Sequence, residues 1–170
     1  MSYQKRIFVI GHMGAGKSLF AEALANKLEW QYIDANPNLE RYIGRSLQEI
    51  MGAQGEAAFH RCEGEIISHY KTKNHLVAVL EEAVIATEEN RKLLSYEYVI
   101  YLKVSVPTQM ERMKGNRVPL LPIENMEAFL NQQHRERDHF FEEVPSLIID
   151  SIGVEPDVKT VVAALDKMNA

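Results

Sequence analysis

Residues 6–28 read RIFVI GHMGAGKS LFAEALANKL, and this stretch decides the fold. Arg6 to Ile10 is a short β-rich run that stops at a glycine, and Lys17 to Leu28 is rich in helix formers with apolar residues at helical spacing. Between them Gly11 to Ser18 satisfies the pattern G-x-x-x-x-G-K-[ST], so a phosphate-binding loop is predicted between a strand and a helix. Glycines reach backbone conformations closed to other residues, and successive N–H groups can then turn inward onto phosphate oxygens beside a helix N-terminus. Gly11, Met13, Gly14, Ala15, Gly16, Lys17, Ser18 and Leu19 are the candidate nucleotide-binding residues. Lys17 brings a point charge to the β- and γ-phosphates, and Ser18 offers a hydroxyl to a Mg²⁺ ion that bridges them. The plain alternative is a chance glycine turn, which average residue usage makes rare.

Outward from this core, apolar or β-branched runs recur at Gln31 to Ile33, Leu76 to Leu80, Tyr98 to Leu102 and Leu147 to Asp150, separated by helix-like sequence. Such alternation predicts an α/β fold with a mainly parallel sheet and helices on both faces. Ser46 to Glu49 is a capping-box pattern, and Phe59, Cys62, Ile66 and Tyr70 fall on one face of a helix expected after Gly55. Lys114 to Asn125 (KGNRVPLLPIEN) carries two prolines and a glycine between helical segments and is expected to be a mobile loop. At 170 residues, 46% of them hydrophobic, the chain fits a single domain over 1–170.

The formal charge of −5 disfavours nucleic acid and anionic membrane as partners and favours a small molecule. Cys62 is the one cysteine, and the start MSYQKRIFVIG has too short an apolar run for a leader or a span. A cytoplasmic protein, acting as a monomer, is the expectation.

Taken with GHMGAGKS, the segments WQYIDANPNLERYIGRSLQEIMGAQGEAAFHRCE, ATEENRKLL, VIYLKVS, VPLL and RERDHFFEEV resemble the shikimate kinase family in order and spacing, over nearly the whole chain. The resemblance implies a three-layer P-loop NTPase fold with a five-stranded parallel sheet of nucleoside-monophosphate-kinase type. It also implies ATP and Mg²⁺ as cofactors, a substrate-binding helical region at about 37–70, and a lid at about 114–125. Asp34 matches the family aspartate near Mg²⁺, the reading preferred over the plainer one of an Asp capping a helix near Pro37. Arg137, four before Phe141, matches one of the arginines that the family aims at its acidic substrate. Arg112 stands one position out of register with a lid arginine that stacks on adenine. Lys17, Asp34 and Arg137 are thus the candidate catalytic residues, with Ser18 and Asp34 at the metal.

The acceptor half departs from the family pattern. Asn36 stands where the resemblance implies a second aspartate, His60 where it implies an arginine, and Leu80-Glu81-Glu82 where it implies three glycines. Val118 replaces a lid arginine, with Arg117 one position earlier as a partial substitute. Asn36, His60, Glu81, Glu82, Arg117 and Arg137 are the candidate substrate residues. His60 reads equally as an ordinary surface or core histidine, and Glu81 and Glu82 as solvated residues at a strand end. Charge-assisted arginine contacts to a carboxylate are each worth roughly 1.5–3 kcal/mol, and histidine or valine does not reproduce them. An acidic acceptor is therefore expected to be disfavoured. Phosphoryl transfer from ATP to a hydroxyl of a small molecule is the leading reading. The alternatives are a nucleotide-binding protein without efficient transfer and a plain NTPase switch.

Overall fold

Strand β1 (Arg6–Ile10) is buried along all but its first residue, as a central strand covered on both faces must be. In the computed structural model, which describes residues 5–34, 61–113 and 123–169, its neighbours are β3 (Leu76–Val79) and β4 (Tyr98–Lys103). Outside these lie β2 (Gln31–Asp34) and β5 (Leu147–Asp150), giving a five-stranded sheet of order β2-β3-β1-β4-β5 in which every pairing is parallel. The five expected strands are all present, and so is the parallel sheet.

Alternation along the strands sends side chains to opposite faces, and each face is covered by helices. Phe8 and Ile10 point to one side, where they pack with Ile66 and Ile67 of α2 (residues 61–70), Leu94 of α3 (Glu88–Leu94) and Phe141 of α5 (Ile123–Glu143). Ile7 and Val9 point to the other, against Phe20 and Leu24 of α1 (Lys17–Leu28) and Val161 and Leu165 of α6 (Val154–Asn169). Three layers result. Each fully buried Phe, Leu or Ile contributes roughly 1.5–3 kcal/mol. Cys62 and Ile66 are buried, as the expected helical face requires, and Tyr70 packs against the same core.

The register brings the working ends of the strands level. Val79 pairs with both Val9 and Asp34, so the chain leaves β1, β2 and β3 along one edge of the sheet. At the opposite edge, Arg6 pairs with Glu97 at 2.8 Å and donates to the Lys73 carbonyl at 2.6 Å, tying three connections together. A smaller apolar cluster joins Met13 of the loop to Val106 and Met113 of α4 (Val106–Met113) and to Met126 and Leu130 of α5.

Helix α5 begins at Ile123, inside the stretch expected to be loop. From Ile123 onward no glycine or proline interrupts the run, and Met126, Phe129 and Leu130 repeat at helical spacing into an apolar cluster. The remainder of the expected lid, the capping box at 46–49 and most of the expected substrate-binding region lie outside the described residues. Among the described residues no helix is long and apolar enough to cross a membrane.

Candidate functional site

The loop between β1 and α1 has the backbone that its glycines were expected to allow. Gly14 and Gly16 lie at φ 73° and 87°, in the left-handed region that side-chain-bearing residues avoid. Gly16 caps α1, which has no side-chain cap and no acidic residue in its first turn. The first N–H groups of the helix therefore remain available at its positive end, where an anion is best received.

Lys17 and Ser18 leave this turn in different directions. Lys17 is buried and folds back so that its Nζ donates to the Gly11 and His12 carbonyls at 2.9 and 3.0 Å. Burial pushes its pKa down, against the charges of Glu82, Glu81 and Asp34, which favour the ammonium. Exposed Ser18 donates to Asp34 Oδ2 at 3.2 Å, and the Tyr32 hydroxyl donates to the same oxygen at 3.3 Å. A hydroxyl and a carboxylate meeting at the mouth of a phosphate loop are the hard oxygen donors that Mg²⁺ accepts.

A cavity of about 550 Å³ opens beside the loop, lined by Gly14, Gly16, Lys17, Ser18, Leu19 and Arg112, with Ser151, Gly153 and Asp157 opposite. Arg112 is anchored over the loop by donating to the Ala15 carbonyl at 2.6 Å. The far wall was not read from the sequence. It is shaped by Asp157, 3% exposed, whose carboxylate accepts from Ser151 Oγ at 2.6 Å and from the Ile152 and Gly153 N–H groups at 3.0 and 3.4 Å. A glycine followed by an acid in the first turn of a helix was the available sequence signal.

Glu81 and Glu82 leave the end of β3 half-buried rather than solvated. Glu81 accepts from the Glu82 N–H at 3.2 Å and caps the 3₁₀ turn Glu82–Ala86. The two carboxyls titrate as a pair. Burial, then the hydrogen bond to Glu82, pushes Glu81 well above the usual carboxylate range. Burial acts in the same sense on Glu82, but its hydrogen bond with Glu81 and the charges of Lys17 and Arg137 outweigh that and bring it below the usual range. Arg137, on α5, is thus within electrostatic reach of a carboxylate of the chain itself. Asn36, His60, Arg117 and Val118 lie outside the described residues.

A second feature went unread in the sequence. Gln109 of α4 is fully buried, and its Nε2 donates to the Met13 carbonyl at 2.8 Å while its Oε1 meets His134 Nε2 at 2.6 Å. His134 Nδ1 lies 3.1 Å from Asp138, which also takes His12 Nε2 at 2.7 Å. The His12 and His134 rings stack at 3.9 Å. Burial drives the His12 pKa down to about 4, so its ring is neutral. The phosphate loop is in this way joined to α4 and to the helix that bears Arg137.

Comparison with known proteins agrees with this geometry. The shikimate kinase family model matches residues 13–166. A shikimate kinase of Legionella pneumophila is 34% identical over 166 residues, spanning 96% of this chain and 92% of its relative. One from Methylococcus capsulatus is 35% identical over 153 residues, covering 89% and 86%. The structure of shikimate kinase from Acinetobacter baumannii in complex with shikimate superposes with a TM-score of 0.83 at 28% identity, covering 98% of this chain and 94% of that one. With a match across the sheet, the phosphate loop and the Arg137 helix, the chain belongs to the shikimate kinase family, phosphotransferases that act on a hydroxyl group.

Proposed function

We propose that this protein transfers the γ-phosphoryl group of ATP to a hydroxyl of a small molecule that lacks the carboxylate of shikimate. The backbone of Gly11 to Gly16 and the N-terminus of α1 hold the phosphates, and Lys17 exchanges its two loop carbonyls for phosphate oxygens when the nucleotide enters. Ser18 and Asp34 would hold Mg²⁺, which offsets charge on the β- and γ-phosphates. Arg112 and the Ser151–Gly153 turn flank the rest of the nucleotide. Held in line, donor and acceptor need little further chemistry beyond positioning and charge stabilisation.

The observation that carries the acceptor reading is Glu82, a half-buried carboxylate whose ionised form its hydrogen bond with Glu81 and the charges of Lys17 and Arg137 favour. An incoming carboxylate has to compete with it for Arg137, and a buried like charge is costly. A neutral or cationic acceptor meets no such competitor. Glu82 also supplies a carboxylate able to take up the hydroxyl proton, the role that an amide at Asn36 cannot fill.

A coupled assay of ADP release, with hydroxylated compounds grouped by charge and shikimate as the acidic reference, tests this. The expected outcome is a neutral or cationic compound preferred over shikimate by at least about tenfold in kcat/KM, the equivalent of one contact of about 1.4 kcal/mol. The combined change Asn36→Asp, His60→Arg, Glu81→Gly and Glu82→Gly should raise activity on shikimate. Efficient use of shikimate by the wild type would overturn the acceptor reading and leave the kinase. ATP binding with no acceptor at all would instead favour a nucleotide-binding protein without transfer.

A further inference from the structure

Helix α5 sets His134 and Asp138 one turn apart on one face, and the loop brings His12 against them. The ligating atoms of these three side chains lie within 4.8 Å of one another. Their proton bookkeeping does not close. Gln109 Nε2 is committed to the Met13 carbonyl, which fixes the amide and leaves its Oε1 facing His134 Nε2. That ring nitrogen must carry the hydrogen, so the neutral His134 ring turns the bare Nδ1 lone pair toward the Asp138 carboxylate at 3.1 Å. An acceptor faces an acceptor. Something positive belongs between them, either a second proton on the ring or a metal ion.

We propose that His12, His134 and Asp138 form a binding site for a transition-metal dication of the zinc class, with water from the adjoining cavity as fourth ligand. Two imidazoles and one carboxylate are the donor set of three-ligand zinc sites, and tetrahedral coordination separates neighbouring donors by about 3.4 Å. The observed His–Asp spacings of 2.7 and 3.1 Å are somewhat shorter than that, and the near-parallel stack of the two rings has to open for both nitrogens to face one ion. Gln109 is the outer partner that such a site requires, since a ligating histidine characteristically donates its other N–H to a carbonyl. The way in is a cavity of about 330 Å³ lined by Lys103, Ser105, Thr108, Asp150 and His134 itself. The charge of Lys103 is met there by Glu142 at 3.1 Å. This site differs in chemistry from the oxygen pair of Ser18 and Asp34, and it stands whether or not the acceptor reading does.

Co²⁺ titrated into metal-free full-length protein, without nucleotide, provides the test. The expected result is the visible absorption of tetrahedral Co²⁺, saturating at one equivalent and abolished when Zn²⁺ displaces it. Asp34→Asn should retain the signal, His134→Gln and Asp138→Asn should lose it, and Gln109→Leu should weaken binding roughly ten- to a hundredfold. Thermal unfolding establishes that each variant is folded. X-ray absorption of the wild-type Zn²⁺ form, which needs no variant, should count two imidazole ligands. An octahedral or unsaturated spectrum, an unchanged signal in His134→Gln, or fewer than two imidazoles would overturn the proposal.

Discussion

Gly11 and Gly14 look alike in the sequence and face different neighbours. A Cβ on Gly14 would meet the Met113 side chain at 2.5 Å, which can swing aside, whereas one on Gly11 would stand 2.8 Å from the Leu102 carbonyl oxygen in the middle of the sheet. Gly14→Ala should therefore cost about 1–2 kcal/mol, mainly from its left-handed φ. Gly11→Ala should cost more, about 3 kcal/mol, since β4 itself must move. Urea unfolding of the two variants measures the difference, and equal losses would contradict the packing described. At Lys17 the effect falls on binding. Lys17→Ala removes a charge-assisted contact worth about 1.5–3 kcal/mol and should weaken Mg·ATP roughly ten- to a hundredfold, as calorimetry would read.

At the scale of elements, the start of α6 hangs on one side chain. Asp157 holds two N–H groups and a hydroxyl that have no other partner among the described hydrogen bonds, and it fixes the turn forming the far wall of the cavity beside the phosphate loop. Asp157→Ala should cost about 2 kcal/mol in stability and also weaken nucleotide binding, whereas Leu19→Ala, on an exposed side chain, should leave stability nearly unchanged. Denaturant midpoints with and without ATP separate the two effects. The strands and the β1–α1 turn were legible in the sequence because their causes are local: β-branched runs, glycine stops and helical spacing. The α6 wall left a local signal, Gly153 ahead of Asp157, that went unread, whereas the contacts of His12 with Asp138 and of Gln109 with Met13 left none. His12 and Asp138 are 126 residues apart and Gln109 and Met13 are 96 apart, so no neighbouring residue announces either pairing. The start of α5 was misplaced because the prolines and glycine of KGNRVPLLPIEN read as loop throughout, whereas its last three residues carry neither and already belong to the helix.

For the whole molecule, the paired carboxyls predict how stability responds to pH. Glu81 keeps its proton in the folded chain up to about 9 and loses it in the ordinary carboxylate range when unfolded. The folded state thus binds more protons between those limits, so this contribution is full below the ordinary range and is lost as pH rises toward about 9. Glu81→Gln removes that slope, and its melting temperature should gain on the wild type between about pH 5 and about pH 9; a constant difference would exclude the buried proton. The fold assigns its two tasks to different materials. Phosphate reception is written in main-chain angles at the joint of β1 and α1, whereas the residues proposed to face the acceptor are side chains of other elements, Glu81 and Glu82 at the start of a 3₁₀ turn and Arg137 within α5. A lineage can therefore exchange what it phosphorylates by point changes that leave those main-chain angles as they are. The catalogue of substrates is evolvable while the energy source is inherited intact.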